Sequence, residues 1–269
     1  MYTFVKLGGS VITDKAGREA ADRPVIARLA AELATALGAR PDLRLILGHG
    51  SGSFGHHYAA RYGVHRGLAP GSDYTGFALT AAAALRLNRI VVDALLEAGV
   101  PALSLQPSAA LQAAGGRIVA WETAPIAAAL ERGLVPVVHG DVAFDRLQGS
   151  AIISTEALLA HLALATPLRP ARIVLVGEAA VYTADPRANP AAERVPLITA
   201  ANLEAVLHGA GGSHAVDVTG GMRSKLELMW RLIEAIPALE VRLIGPDPGN
   251  LAAVLRGAPL DAGTTIRLG

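Results

Sequence analysis

The chain has 269 residues, no cysteine, 24 Lys+Arg against 23 Asp+Glu, and 52% apolar residues. That length suits one large α/β domain or two closely joined lobes, and the apolar content excludes a disordered chain. Without cysteine there are no disulfides, thiolate zinc sites or cysteine nucleophiles, and the near-balanced charge gives no electrostatic reason to expect nucleic acid or an anionic membrane as partner. No signal peptide is visible at the start and no apolar run is long enough for a membrane span, so a cytoplasmic protein is expected.

In chain order, Tyr2–Leu7 is a short β-favouring segment that runs into Gly8-Gly9-Ser10. Residues 24–37 carry a helical pattern with proline in the first turn. Residues 43–47 read as a buried strand entering His49-Gly50-Ser51-Gly52-Ser53. Residues 73–98 read as a long helix stopped by Gly99-Val100-Pro101, 102–105 as a strand, 124–131 as a helix, and 134–139 as a strand ending at Gly140-Asp141. The second half continues the alternation, with helix 155–165, strand 172–176 ending at Gly177, helices 203–208 and 222–236, strand 241–244, helix 250–256 and strand 264–268. This order predicts a three-layer α/β/α sandwich with a mainly parallel central sheet. Ligands of such sheets gather beyond the carboxyl ends of the strands, where the glycine clusters fall. A lobe boundary is expected near Pro167 to Pro170, dividing residues 1–166 from 167–269.

Three segments carry the chemistry. In Lys6-Leu7-Gly8-Gly9-Ser10 two glycines at a strand end let backbone N–H groups approach an anion, and Lys6 and Lys15 add positive charge. The plain alternative is a tight turn with two solvated lysines. Gly48-His49-Gly50-Ser51-Gly52-Ser53-Phe54-Gly55-His56 is a glycine-rich turn opening a helix, an anion nest backed by a helix N-terminus. His56 enters that helix, where it either donates to a phosphate or is an ordinary surface histidine. Val218-Thr219-Gly220-Gly221-Met222-Arg223-Ser224-Lys225 opens a later helix, and Lys225 is placed to fold back on its N-terminus or to sit exposed. Walker A, protein-kinase and Gly-x-Ser-x-Gly patterns are missing. His139 and His161 lack metal-ligand spacing and read as packing or surface residues.

Taken together these segments resemble the isopentenyl phosphate kinases, a branch of the amino-acid-kinase family. Lys6 to Lys15 and Gly48 to His56 carry the likeness first; His139-Gly140-Asp141-Val142, Tyr182-Thr183-Ala184-Asp185-Pro186, Thr219 to Lys225 and Gly263-Thr264-Thr265-Ile266 continue it through nearly the whole chain. The Ser53-Phe54-Gly55-His56 element separates this branch from the glutamate, acetylglutamate and UMP kinases. The resemblance implies the carbamate-kinase-like fold, and transfer of the ATP γ-phosphoryl group to isopentenyl phosphate or a similar small alkyl monophosphate, with Mg²⁺ on the nucleotide and a homodimer as the assembly.

It also implies roles by position. Lys15, Lys6, His56, Lys225 and Glu156 would be the catalytic set. Leu7, Gly8, Gly9, Ser10, Gly52, Gly177, Tyr182, Asp185 and Gly221, together with Lys6 and Lys225, would lie on the ATP side. Gly50, Ser51, His56, Gly140, Asp141 and Thr155 would hold the acceptor phosphate. No metal ligand from the protein is expected. The chain departs from the family pattern where Thr155-Glu156 stands for Gly-Asp, Ser51 for glycine and Ala179-Ala180 for Asp-Gly. Tyr74, Phe77, Ala78 and Ala81 fall at helical spacing and could line a pocket for the acceptor's tail or simply pack in the core. Other readings are a fosfomycin-type phosphonate kinase of the same fold and a non-catalytic nucleotide-binding or storage protein.

Overall fold

The structure is a computed structural model that describes residues 2–14, 16–186, 188–210 and 221–269. Lys15 and the motif residues Val218, Thr219 and Gly220 lie outside the described residues. In chain order the elements are β1 (Tyr2–Leu7), α1 (Gly9–Ile12), α2 (Arg23–Ala39), β2 (Arg44–His49), α3 (Gly52–Arg61), α4 (Thr75–Glu97), β3 (Ala102–Ser104), β4 (Leu111–Ala114), β5 (Arg117–Trp121), α5 (Ala124–Glu131), β6 (Val135–His139), β7 (Asp141–Asp145), β8 (Gly149–Ile153), α6 (Thr155–Ala165), β9 (Pro170–Val176), β10 (Leu197–Ile198), α7 (Leu203–Ala210), α8 (Gly221–Ala235), β11 (Glu240–Ile244), α9 (Asn250–Arg256) and β12 (Thr264–Ile266).

Eight strands form one sheet in the order β10-β12-β11-β9-β1-β2-β6-β3. Neighbours from β3 through β11 run parallel, and β12 pairs antiparallel with β11. Strand alternation sorts the side chains into two cores. Phe4, Ile46, Val138, Ile173 and Leu175 face α6 and α8, whereas Val5, Leu45, Leu47, Val137, Val174 and Val176 face α2, α4 and α9. The sheet is therefore buried on both faces, which is why its strands read as continuous apolar runs. Each fully buried Phe, Ile, Leu or Val contributes on the order of 1.5 to 3 kcal/mol of burial free energy.

Local chemistry sets the ends of the helices. Asp22 caps α2 by accepting from Val25 N at 3.1 Å, with Pro24 in the first turn. Ser154 caps α6 by accepting from Ala157 N at 3.1 Å. Glu32, from the middle of α2, accepts from Gly249 N and Ala252 N at 3.1 Å each and so caps α9 across the interface, while Arg28 pairs with it at 2.9 Å.

A second, four-stranded sheet, β5-β4-β7-β8, was not among the elements expected from sequence. Its β4–β5 turn places Gly115 and Gly116 at φ 59 and 74, the backbone that a two-residue hairpin requires. Asp145 holds both of its turns: its carboxylate accepts from Gly115 N and Gly116 N at 2.9 and 2.7 Å, and from Leu147 N and Gln148 N at 2.9 and 3.1 Å. Ala113, Ala143, Ala151 and Ile153 on one face of this sheet join the core. Val142 turns the other way, into a small separate cluster with Val64 and Phe77, flanked by Tyr62, Leu68, Tyr74, Ala81 and Ile152. No helix among the described residues is long and apolar enough to cross a membrane.

Candidate active site

The carboxyl ends of five neighbouring strands meet along one edge of the large sheet, and each runs directly into a glycine. The ladder continues one residue past four of the strands: Gly8 N donates to Val176 O at 2.7 Å, Gly50 N to Leu7 O at 3.0 Å, Gly140 N to His49 O at 3.0 Å and Gly177 N to Ile244 O at 2.9 Å. Gly245 follows β11. Leu7 itself is buried and contributes a backbone carbonyl.

The first two glycine loops pack backbone on backbone. A Cβ on Gly9 would lie 2.6 Å from Gly52 N, one on Gly50 2.8 Å from Gly9 N, and one on Gly52 2.7 Å from Gly9 O; Gly52 also has φ +49. Thr13 links the same loops: its hydroxyl donates to Gly9 O at 2.7 Å and accepts from Ser53 N at 3.0 Å. The α1 and α3 N-termini thus sit side by side. Their leading N–H groups, at Gly9, Ser10 and Gly52, have no intrahelical partner by the geometry of a helix start. Ser51, where the family pattern has glycine, is half-buried, and its side chain leans over α3, where only a glycine at position 55 leaves room. His56 is exposed on the next turn of α3.

Near the end of β1, just before the first of these loops, Lys6 forms an ion pair with Glu156 at the start of α6, both side chains being 13% exposed. Burial works against the Glu156 charge, but the ammonium groups of Lys6 and Lys225 outweigh it and hold the carboxyl below its ordinary range. One carboxylate therefore gathers a lysine from each half of the chain. Lys225 lies half-buried in the second turn of α8, after Gly221 at φ +64.

Lys15 lies outside the described residues, but the segment around it is anchored. Asp14 N donates to Ala20 O at 2.9 Å and Ala20 N to Ser53 Oγ at 3.3 Å. Glu19, at φ 49, accepts from Tyr58 of α3 at 2.9 Å and from Arg86 of α4 at 2.7 and 2.6 Å, while Arg18 donates to the same tyrosine at 2.7 Å.

Two of the expected acceptor residues have side chains spent on the protein itself. The Thr155 hydroxyl donates to His49 O at 2.6 Å, and its methyl covers Gly48. The Asp141 carboxylate accepts from Ser108 N and Val142 N at 3.1 and 2.8 Å, and burial pushes its pKa up. Both brace the strand ends beneath the glycine row, beside buried Gly140. On the other flank, Gly177 has open space around its Cα, and Tyr182 and Asp185 are half-buried on the following loop, where Tyr182 bridges to Arg194. Among the described residues no group of three or more His, Cys, Asp or Glu converges to hold a metal ion. A groove of about 900 Å³, bordered by Tyr74 and Phe144 and lined by no lysine, opens on the four-stranded sheet beside the Phe77 cluster.

Sequence reasoning missed a polar cluster under the glycine row. His49, Asn88 and His139 are fully buried; the two imidazoles stack at 5.5 Å with 14° between planes, and Asn88 reaches His49 at 3.1 Å. Burial pushes the His139 pKa down to about 3, and neighbouring His49 adds to that. The available signal was Asn88 itself, a short amide on the apolar stripe of α4.

Residues 1–241 match the amino acid kinase family. The chain belongs to that family. Isopentenyl phosphate kinase of Methanothermobacter thermautotrophicus is 39% identical over 264 residues, 94% of this chain and 95% of the relative. That of Haloferax volcanii is 37% identical over 98% of this chain and 97% of the relative. Among solved structures, an isopentenyl phosphate kinase superposes with a TM-score of 0.83 at 34% identity, covering 99% of this chain and 100% of that one. The product complex of the Thermoplasma acidophilum isopentenyl phosphate kinase gives 0.78 at 26% identity over 99% and 100%. The family match takes in the glycine loops on both sides of β1.

Proposed function

We propose that this chain is an ATP-dependent kinase that converts isopentenyl phosphate to isopentenyl diphosphate and ADP, a step of isoprenoid biosynthesis. The observation that carries this reading is the end-to-end similarity to isopentenyl phosphate kinases, combined with a lysine–carboxylate–lysine cluster built on β1, the strand that runs into the first glycine loop. In this reading residues 1–166 hold the acceptor and residues 167–269 hold ATP.

The reaction joins two anions. An oxygen of the acceptor phosphate attacks the γ-phosphorus, and the bridging oxygen between the β- and γ-phosphorus leaves with its electron pair on ADP. The attacking group is already an anion, so no strong general base is required. The protein's task is to place the reactants in line and to stabilise charge on the transferring group. The N–H groups at Gly9, Ser10 and Gly52, with Lys6, Lys15 and Lys225, surround that group, while the Gly8 N–H is taken by Val176 O and Gly8 contributes only its close backbone approach; Glu156 keeps the lysines aimed. Ser51 and His56 hold the acceptor phosphate; Gly50, whose N–H and C=O are bonded to Leu7 O and His49, shapes the loop beside them, with Gly140, Asp141 and Thr155 supporting from below. Gly177, Tyr182, Asp185 and Gly221 border the nucleotide. The carboxylates of the described residues form no metal-binding set, and Mg²⁺ would arrive held by ATP phosphates and water.

In this reading the α4 face carrying Tyr74, Phe77, Ala78 and Ala81 supplies the apolar wall for the isopentenyl tail, with Val64 and Val142 packed behind Phe77. The working form in this reading is a cytoplasmic homodimer: edge strand β3 exposes Leu103, and α4 exposes Leu85 and Leu96. The test is ADP release with ATP, Mg²⁺ and a panel of isopentenyl, dimethylallyl and geranyl phosphates beside fosfomycin, glutamate and UMP. Turnover is expected with isopentenyl phosphate and to fall at least tenfold in His56→Ala and Lys15→Ala, as the loss of one transition-state donor predicts. Near wild-type efficiency in both variants, or turnover of fosfomycin alone, would defeat the reading.

A further inference from the structure

The buried amide and imidazole beneath the glycine row have a directional consequence. His49 Nδ1 lies 3.1 Å from Gly50 O, and its Nε2 lies 3.1 Å from Oδ1 of Asn88, whose Nδ2 is 2.5 Å from Ser104 Oγ. His49 is fully buried, and desolvation keeps the ring neutral, so it carries one proton. A carbonyl oxygen can only accept, so the proton belongs on Nδ1, facing Gly50 O. Nε2 is then a lone pair and needs a donor. Rotating the Asn88 amide by 180° about its terminal bond provides one, and it turns Oδ1 toward the Ser104 hydroxyl. In that arrangement all three contacts are satisfied: Ser104 Oγ–H to Asn88 Oδ1, Asn88 Nδ2–H to His49 Nε2, and His49 Nδ1–H to Gly50 O. The opposite tautomer sets two lone pairs against each other at Gly50 O.

The peptide between Gly50 and Ser51 is planar and trans, as every described peptide is. Its C=O and the N–H of Ser51 therefore point in opposite directions as one rigid unit. Anchoring Gly50 O on the buried imidazole turns the Ser51 N–H away from the core. The adjoining units are also fixed, because Gly50 N is bonded to Leu7 O, and His49 O accepts from both Gly140 N and Thr155 Oγ1. His139, whose ring nitrogens make no hydrogen bond although Nε2 lies 3.6 Å from the Asp141 carboxylate, stacks its plane on His49 and makes no hydrogen bond that competes for that ring.

We infer that Ser104, Asn88 and His49 form a positioning relay that aims the Ser51 amide at the acceptor phosphate. This rests on the acceptor-site reading of Ser51 given above. Its test uses the difference between two amide replacements of a histidine. The side-chain nitrogen of asparagine falls near the place of Nδ1, and that of glutamine near the place of Nε2. His49→Gln and Asn88→Leu are expected to raise the KM for isopentenyl phosphate about tenfold, the effect of one misdirected donor, with the KM for ATP within about twofold of wild type. His49→Asn should recover the acceptor KM to within about threefold, and Ser104→Ala should show a smaller rise than Asn88→Leu. Two-bond ¹H–¹⁵N spectra of the full wild-type chain should show His49 as the Nδ1–H tautomer, and in Asn88→Leu a mixture of tautomers. A His49 resonance carrying its proton on Nε2 in the wild type, equal effects of Asn and Gln at position 49, or a KM rise shared by ATP overturns the relay. Failure of the wild type to phosphorylate isopentenyl phosphate would instead strike the functional reading, and the tautomer measurement would still decide the relay.

Discussion

Replacing Glu156 by Gln keeps the shape of the side chain and one acceptor oxygen while removing the charge that gathers Lys6 and Lys225. At ion-pair separation the attraction to one ammonium group is worth about 4 kcal/mol at an effective dielectric near 20, and part of that is offset by the cost of burying the pair. Both partners of the Lys6 pair are only 13% exposed, so little of the remainder is screened by solvent. A net loss of about 2 kcal/mol is expected, together with repulsion between two lysines that no longer share a counter-ion. If Lys6 then loses its aim on the transferring phosphoryl group, kcat should fall roughly thirty- to hundredfold, which corresponds to about 2 to 3 kcal/mol in the barrier. Glu156→Asp restores the charge on a shorter arm and should retain more activity than Gln. The assay is steady-state ADP release beside a thermal melt, where Tm should drop by about 4 to 8 °C. The pH dependence has a definite sign. The folded-state pKa of Glu156 is depressed, so its contribution to stability is complete above the ordinary 4.5 and is lost as pH falls toward the folded value. Glu156→Gln should therefore flatten the acid limb of the stability curve. A variant with kcat within threefold of wild type and an unchanged acid limb would show that Glu156 neither organises the lysines nor stores charge energy.

Phe77→Ala removes the central wall of the small cluster over β7, and the ratio of kcat/KM for geranyl over isopentenyl phosphate should rise at least tenfold; an unchanged ratio would separate that cluster from the tail. Glu32→Ala leaves Gly249 N and Ala252 N without their cap and Arg28 without its partner, and urea titration should record a loss of about 2 kcal/mol with the midpoint shifted and the slope retained. His139, with its pKa lowered to about 3 against an ordinary 6.5, binds its proton far more readily when unfolded; stability should fall by about 1.4 kcal/mol for each pH unit below 6.5 until about pH 3, and His139→Phe should remove that slope.

The large sheet was legible because its strands are buried on both faces and end in glycine. The helices Ala124–Glu131, Thr155–Ala165 and Asn250–Arg256 fall at the bounds that periodicity and capping residues suggest. The four-stranded sheet was not legible, because β4 and β5 are short, β4 is half alanine and β5 is largely exposed; the Gly115-Gly116 pair and the repeated demands on Asp145 were local signals of it. The lysines and glycine loops could be read as a site because phosphate chemistry needs those groups at strand ends. What sequence could not say is which polar groups turn inward. Asp141 lies in a motif that carries the family likeness and Thr155 replaces a glycine of the family pattern, yet both side chains tie down backbone, and the pairing of His49 with Asn88 joins residues far apart in the chain.

The seam between Gly9, Gly50 and Gly52 is hydrogen against hydrogen, with no side chain to act as a spacer. Neither loop can slide or tilt without pushing the other, so the α1 and α3 N-termini behave as a single block rather than as two jaws. Any opening that admits one reactant must then be supplied elsewhere, by elements outside that block, and the geometry between the two phosphate-facing turns is inherited from folding, already set before either reactant arrives.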